Sequence, residues 1–311
     1  MSNVAKARRK APPPELTTVL DFVRYAVTRF GEAKLAFGQN THDAVEEAIF
    51  LVFETLGLPI DRLDPFLPAR LTAAERAKLF ALIEKRITSR VPAAYLLHCA
   101  YLQGERFYVD ERVIVPRSYL AELIYGEPFS GEDPLVDASA VQSVLELCTG
   151  SGCLAVLACR AFPNAQVDAV ELSKDALAVA KINVAEHGLE ERIRLLKGDL
   201  FAPVGEAVYD LIIANPPYVD AEAVAAFPAE YKREPLLAHK GGADGLDIVR
   251  RILERAGTHL SPDGGLLCEI GRGRAILERD YPDLGFLWLD TAQSSGEVFW
   301  LPAEELQKTT D

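Results

Sequence analysis

From residue 143 to the carboxyl terminus, short apolar segments alternate with amphipathic segments of helical periodicity. This alternation is typical of a parallel β-sheet with helices on both faces, because each parallel strand needs a crossover to reach the next. We therefore predict an α/β fold built on one doubly wound sheet. The seven predicted strands span residues 144–147, 166–171, 193–196, 209–214, 265–269, 284–289 and 297–301. The predicted helices between them span residues 152–161, 174–187, 245–259 and 272–279.

The first 142 residues have a different pattern. Residues 15–90 contain amphipathic helical stripes, with Thr41 as a predicted helix cap and a predicted capping box formed by Thr72 and Glu75. Alternating apolar residues in the segment 107–115 predict a β-hairpin. The predicted regions are a disordered basic tail (1–14), a small amino-terminal helical domain (15–90), a β-hairpin linker (91–142) and the α/β domain (143–311).

The stretch 211–219 runs from an apolar strand into a rigid, polar turn. Asn215 is predicted at the carboxyl end of the strand, and Pro216 and Pro217 fix the backbone and remove two N–H donors. Free carbonyl groups, the Asn215 side chain and the aromatic face of Tyr218 would together hold a planar NH2 group. Taken alone, such a stretch is more often a proline-terminated strand with an asparagine turn.

Three other predicted strands are followed by polar or flexible groups. The first leads into a glycine-rich turn, residues 146–152, which lets the backbone approach a ligand beside a helix amino terminus. The second ends at Glu171, where a carboxylate accepts hydrogen bonds from ribose hydroxyl groups. The third precedes Asp199, an acceptor for an exocyclic amine, with Leu200 and Phe201 as candidate walls for adenine. Four such strand ends at one sheet edge predict a ligand site.

Two ligand classes suit such an edge. A dinucleotide oxidoreductase would need a complete Gly-x-Gly-x-x-Gly pattern and has no use for Asn-Pro-Pro-Tyr. A methyltransferase needs a ribose-binding acid, an adenine acceptor and a grip on the group to be methylated, and this chain has all three. The ordered set Glu146-x-Cys-x-Gly150-x-Gly152, Glu171, Asp199 and Asn215-Pro-Pro-Tyr218 resembles the class I methyltransferases that use S-adenosylmethionine. That resemblance implies a Rossmann-like sheet of seven strands, the last one antiparallel.

The resemblance extends to the bacterial protein glutamine methyltransferases. The segments that carry it are Arg90-Val-Pro-Ala-Ala-Tyr95, Phe107-Tyr-Val109, Val115-Pro-Arg117, Glu234-Pro235, Gly241-Gly-Ala-Asp-Gly-Leu246 and Glu269-Ile-Gly271. The cysteine-flanked loop 147–153 is similar to the branch that methylates a glutamine of large-subunit ribosomal protein L-three. The release-factor branch, which acts on a Gly-Gly-Gln motif, has glycine in place of Cys148. Ser118 after Pro-Arg also favours the ribosomal branch, whereas Tyr119 stands where that branch is expected to have proline.

The resemblance implies roles for individual residues. It implies that Asn215, Pro216 and Tyr218 are catalytic and that, with Pro217, they bind the substrate amide. It implies that S-adenosylmethionine is bound by Cys148, Thr149, Gly150, Ser151, Gly152, Glu171, Asp199, Leu200 and Asn215. The helical domain is then expected to recognise a basic protein substrate, ribosomal protein L-three, before its assembly into the ribosome.

Composition narrows the remaining possibilities. The formal net charge of −13 argues against a domain that grips a phosphate backbone, so no direct DNA binding is expected, and it favours a basic partner. The five cysteines include no Cys-x-x-Cys pair, so neither a disulfide framework nor a metal site is predicted. No apolar run reaches the roughly 18 residues of a membrane span, and we expect a cytoplasmic location without membrane association.

Three alternatives stay open at the level of sequence. The first is a glutamine methyltransferase of peptide release factors. The second is a DNA adenine methyltransferase, which shares the motif order but would need a basic target-recognition region. The third is a binding module that keeps the fold without catalysis, for which Cys148 in the glycine-rich loop is the support.

Overall fold

The computed structural model describes residues 11–308, and the chain divides into two compact units, Met1–His98 and Cys99–Asp311. Residues 1–10 of the predicted disordered tail lie outside the described residues. The first unit consists of the helices α1 (Val19–Glu32), α2 (Ala44–Leu56), α3 (Ala73–Ser89) and α4 (Ala93–Leu97). Nothing in residues 11–308 forms a helix long and apolar enough to span a membrane.

The helix ends of the first unit follow local capping chemistry. The predicted capping box at Thr72 and Glu75 is confirmed at the start of α3. The predicted cap of α2 is wrong by two residues, because Asp43 accepts the first free backbone N–H groups. Thr41 instead donates to Glu47, 3.2 Å away in the interior of the unit.

The second unit contains a hairpin, a mixed sheet and eight helices within the described residues. Its strands are β1 (Ala100–Leu102), β2 (Glu105–Phe107), β3 (Ser143–Leu147), β4 (Gln166–Glu171), β5 (Ile193–Lys197), β6 (Tyr209–Ala214), β7 (Leu260–Glu269), β8 (Leu287–Leu289) and β9 (Val298–Pro302). Its helices are α5 (Leu120–Tyr125), α6 (Glu127–Ser130), α7 (Cys153–Ala161), α8 (Lys174–Glu186), α9 (Ala221–Ala225), α10 (Asp247–Ala256), α11 (Arg274–Asp280) and α12 (Ala303–Gln307).

The seven strands β3 to β9 form one sheet, so the predicted fold class is confirmed. Their order across the sheet is β5-β4-β3-β6-β7-β9-β8. All neighbours are parallel except β9, which is antiparallel to both β7 and β8, as the resemblance implied for the last strand. The direction of the strand order reverses between β3 and β6, which is where open α/β sheets bind ligands.

Apolar side chains cover both faces of the sheet because alternate residues of a strand point to opposite sides. In β6, Leu211 and Ile213 belong to the core that includes α7. Ile212 and Ala214 belong to the core that includes α10 and α12. All four are fully buried, so the prediction of a strand covered on both faces is confirmed.

The hairpin lies earlier in the chain than predicted, at β1 and β2. The valines of the segment 109–115 are buried, but that segment forms no strand. Tyr108 is instead held by a side chain of α8, since its N–H donates to Oδ1 of Asn183 (2.7 Å) and its carbonyl accepts from Nδ2 (3.0 Å). The carboxylate of Asp110 then accepts the N–H of Arg112 and closes a turn. Side-chain partners thus replace the predicted strand pairing.

Candidate active site

The register of the sheet places three of the four predicted strand ends in one row, whereas Asp199 lies two residues beyond Lys197, the partner of Glu171. Leu147 pairs with Val170 on one side and with Ala214 on the other, and Ala214 pairs with Cys268. The residues that follow these four are therefore neighbours across the sheet edge, with strands about 4.8 Å apart. From one side to the other, this row is Glu171, Cys148, Asn215 and Glu269.

The glycine-rich turn lies over the end of β3. Gly150 and Gly152 have φ values of +56° and +77°, which favour glycine, and Cys148 has a φ of +62°. A Cβ atom on Gly152 would lie 3.1 Å from Cβ of Ala180, so the turn packs closely on α8. The predicted glycine turn thus serves backbone geometry at Gly150 and helix packing at Gly152.

Glu171 is fixed by two backbone donors. Its Oε2 accepts the N–H of Gly150 at 2.9 Å, and its Oε1 accepts the N–H of Ser173 at 2.8 Å. The side chain is nearly buried and lines a cavity of about 200 Å³. Each carboxylate oxygen keeps further lone pairs for ligand hydroxyl groups.

This first cavity contains seven of the predicted site residues. They are Cys148, Gly150, Glu171, Asp199, Leu200, Asn215 and Pro217. Asp199 is half exposed and forms an ion pair with Arg251, with 2.7 Å between Oδ2 and the guanidinium. Phe201 is not a wall of this cavity, because it is buried in the core and stacks on His259 with ring centroids 4.6 Å apart.

A second cavity of about 260 Å³ also has Asn215 in its wall. The predicted site residues that line it are Cys148, Thr149, Gly150, Ser151, Asn215, Pro216 and Tyr218. The two cavities share Cys148, Gly150 and Asn215. Pro217, expected to bind the substrate amide, lines only the first cavity, and Gly152 lines neither.

The Asn-Pro-Pro-Tyr turn contributes to both cavities. The Asn215 side chain has no hydrogen-bond partner within residues 11–308, so its carbonyl and amide are available to a ligand. The hydroxyl of Tyr218 donates to Oε1 of Glu269 at 2.8 Å. Burial and the neighbouring carboxylate raise the pKa of Tyr218 well above its usual value, so the phenol stays protonated.

Several residues of the second cavity were not predicted as site residues. Glu146 is buried in its wall and accepts a hydrogen bond from the hydroxyl of Thr149. Burial raises the pKa of Glu146 to about 8. The Thr149 hydroxyl opposes this rise only in part, because it donates a hydrogen bond but carries no positive charge. A charged residue on an otherwise apolar strand was the sequence signal for this side chain.

An ion pair between the partly exposed Arg117 and the buried Glu234 joins two loops of the second cavity. Arg117 and Glu234 form two parallel N–H···O bonds of 2.8 Å each, and Glu234 also accepts the N–H of Val115 at 3.0 Å. Although burial opposes ionisation, these contacts lower the pKa of Glu234 to about 2. Nε2 of His239 lies 3.1 Å from the same carboxylate, an electrostatic contact without the alignment of a good hydrogen bond.

The motif segments quoted for the resemblance contain the signal for these unpredicted residues. Arg117, Glu234 and Glu269 all occur in them, although no role was assigned to these three side chains. The structure brings the segments to one site. Arg117 contacts Glu234, and Ser118, which follows Arg117 in the chain, contacts Glu269.

Comparisons with known proteins agree with this geometry. Residues 134–230 match the family model described as Methyltransferase small domain. A protein of Bradyrhizobium diazoefficiens named ribosomal protein uL3 glutamine methyltransferase is 59% identical over 94% of this chain and 92% of its own length. Proteins of the same name from Burkholderia pseudomallei and Bordetella pertussis are 55% and 52% identical, each over 94% of this chain and 97% of its own length.

Proposed function

The chain belongs to the ribosomal protein uL3 glutamine methyltransferase family, and on that premise we propose that it methylates the side-chain amide nitrogen of a glutamine in ribosomal protein uL3. Family membership confirms the resemblance that the motif segments predicted, and S-adenosylmethionine is the methyl donor. The observation that carries the proposal is Asn215, whose side chain has no partner within residues 11–308 and lies where the two cavities meet.

The first cavity fits the adenosine part of S-adenosylmethionine. Glu171 offers a fixed carboxylate to the ribose hydroxyl groups, and Leu172, Leu200 and Ile248 offer apolar surface to a ring. Asp199 lines the same cavity as an acceptor for the adenine amine. When bound, S-adenosylmethionine supplies a methyl group on a positively charged sulfur.

The protein has to make an amide nitrogen, a weak nucleophile, available in one orientation. We assign the two N–H bonds of the substrate amide to the side-chain oxygen of Asn215 and the backbone carbonyl of Pro216. Holding a nucleophile in line with the methyl group in this way lowers the activation barrier by up to ~7–11 kcal/mol in ideal cases. The same acceptors stabilise positive charge as it develops on nitrogen. Tyr218 covers the amide plane and excludes water.

Substitution of Asn215 tests the proposal. Asn215→Ala is expected to keep most of its affinity for S-adenosylmethionine and to lose methyl transfer, because it removes an acceptor for the amide but leaves Glu171, Asp199 and the glycine-rich turn in place. Glu171→Ala is expected to show the reverse order, with loss of cofactor affinity first. The measurements are calorimetric cofactor binding and transfer of labelled methyl groups to purified uL3.

A matched control is Asn164→Ala, which removes an exposed asparagine near the start of β4 and should leave both measurements unchanged. Parallel incubations with a peptide release factor and with adenine-containing DNA distinguish the alternative acceptors. Wild-type transfer to one of these, but not to uL3, would contradict the proposed substrate. Full activity of Asn215→Ala would contradict the proposed role of the turn.

We extend the proposal to the partner and the place of the reaction. The negative charge of this chain favours free, basic uL3 over the assembled ribosome, and the helical unit is proposed to recognise that protein in the cytoplasm. Methylation of free uL3 at a higher rate than of intact large subunits would support this extension.

A further inference from the structure

Glu269 is a fully buried carboxylate that none of the roles above uses. It ends β7, and the pairing of Ala214 with Cys268 places it beside Asn215 at the sheet edge. Its side chain lines neither of the two cavities. Because a buried carboxylate is costly unless its oxygens are satisfied, its partners show why this residue occupies the position.

Three donors converge on Glu269 from two distant parts of the chain. Oε2 accepts the hydroxyl of Ser118 at 2.7 Å and the N–H of Tyr119 at 2.9 Å. Oε1 accepts the hydroxyl of Tyr218 at 2.8 Å. The oxygen of Ser118 already accepts the N–H of Leu120, so its own proton is directed to the carboxylate. This set of donors satisfies an ionised carboxylate and leaves a protonated one with a surplus proton.

Two of these donors, Ser118 and Tyr218, line the second cavity. Tyr218 is confined on other sides as well, since a Cβ atom on Gly271 would lie 2.7 Å from the Tyr218 ring. A Cβ atom on Gly245 would lie 2.3 Å from the Tyr218 carbonyl oxygen. The tyrosine is therefore held at its hydroxyl, its ring and its backbone by residues outside both cavities.

We propose that Glu269 is a positioning residue for methyl transfer, which fixes Tyr218 and Ser118 as the walls that present the substrate amide to Asn215 and Pro216. The inference rests on the proposed function and deepens it. Glu269 acts through its partners and touches neither substrate nor cofactor. Misplacement of an acceptor site by about 1 Å is enough to reduce a rate by about a hundredfold.

Glu269→Gln tests the proposal because it keeps the side-chain volume and removes the charge. Its NH2 group would face at least one of the converging donors. The expected result is a reduction of kcat by about ten- to a hundredfold, with unchanged affinity for S-adenosylmethionine. The affinity is unchanged because the glycine-rich turn follows β3, two strands from β7, and Glu171 ends β4, three strands away. An unchanged kcat, or an equal loss of cofactor affinity, would overturn the proposal.

A double-mutant cycle separates positioning from general loss of structure. Tyr218→Phe removes the hydroxyl that Glu269 holds. If Glu269 acts through that hydroxyl, the double variant should lose less than the product of the two single losses. Multiplicative losses of kcat would mean that the two residues act independently and would overturn the coupling. Glu269→Asp keeps the charge and serves if the glutamine variant does not fold, with the same split between kcat and cofactor affinity expected.

The matched control is Asp210→Asn. Asp210 is also a carboxylate that several donors surround, namely two backbone N–H groups and two serine hydroxyls, but it lies at the start of β6, at the opposite sheet edge. The Asp210→Asn variant should have a changed thermal stability and an unchanged kcat. A loss of kcat as large as that of Glu269→Gln would overturn the assignment. All variants are assayed on whichever acceptor the wild type methylates. If uL3 is not the substrate, the wild type alone shows this, and the test of Glu269 is unaffected.

Discussion

Three buried glutamates near the active site differ in their pKa shifts because their donors differ. Glu234 receives two bonds from the positive charge of Arg117, and its pKa falls to about 2. Glu146 accepts a hydrogen bond from the Thr149 hydroxyl but has no cation as a partner, and its pKa rises to about 8. Burial also raises the pKa of Glu269, opposed by its neutral donors. Burial raises the pKa at all three sites, and only at Glu234 does a neighbouring cation reverse the direction of the shift.

At the scale of single residues, Glu146→Gln should change how stability depends on pH. A carboxyl group whose pKa rises from 4.5 to about 8 on folding binds a proton more tightly in the folded state. As the pH rises between these two values, this group should therefore lower the unfolding free energy of the wild type by about 1.4 kcal/mol per pH unit. Glutamine does not titrate, so the variant should not show this decrease. Urea unfolding at about pH 5.5 and about pH 7.5 measures the difference.

The variant should gain about 3 kcal/mol relative to wild type over that interval of two pH units. Glu190→Gln, which replaces an exposed glutamate, serves as the control and should follow the wild type at both pH values. A constant difference between Glu146→Gln and wild type would show that Glu146 is ionised throughout this range.

At the scale of elements, loops rather than strands enclose the second cavity. The loop before α5 supplies Arg117 and Ser118, the turn after β6 supplies Tyr218, and the segment between α9 and α10 supplies His239. The isolated bridge between Val219 and Lys240 and the ion pair described above connect these loops. Their positions therefore depend on a few buried polar contacts, whereas hydrogen bonds of the sheet fix the row of strand ends.

Glu234→Gln is expected to loosen this connection. The lowered pKa of Glu234 contributes stability that is present above about pH 4.5 and is lost as the pH falls toward 2. The variant should therefore be less stable than wild type by about 3 kcal/mol at neutral pH, measured by urea unfolding. The difference should narrow below about pH 4.5.

An exposed glutamate in α9 provides the control for this comparison, as Glu222→Gln. Its stability should equal that of wild type throughout. A difference for Glu234→Gln that did not change with pH would show that lost packing, and not lost charge, destabilises the variant.

At the scale of the whole molecule, the net charge of −13 concerns association more than fold. The negative charge of this chain attracts a basic protein substrate, and salt reduces the range of that attraction. The Debye length falls from about 10 Å at 0.1 M salt to about 3 Å at 1 M. For methylation of free uL3, kcat/KM should fall by about tenfold or more as salt rises across this range. Salt should leave kcat unchanged.

Initial rates at several salt concentrations test this expectation. Calorimetric affinity for S-adenosylmethionine in the same buffers controls for a direct effect of salt on the enzyme. A salt-independent kcat/KM would show that the acidic surface does not attract the substrate.

Local sequence patterns were sufficient to predict the sheet and much of its functional edge. The alternation of apolar strands with amphipathic helices predicts parallel strands, and parallel strands bring their carboxyl ends to one edge. Glu171, Cys148 and Asn215 could therefore be placed together from local patterns, and the register confirms that they lie in one row. The motif segments were sufficient to identify the family.

The contacts that hold the turn and the loops around it join segments that are far apart in the chain and could not be predicted from local patterns. Ser118 and Glu269 are 151 positions apart and Arg117 and Glu234 are 117 apart, so no local periodicity relates them. The hairpin prediction failed for the same reason, because Tyr108 is held by Asn183, 75 positions away. Phe201 likewise stacks on His259 and does not line the first cavity. Strand ends follow from short-range pattern, whereas the partners of buried polar groups follow from packing between distant segments.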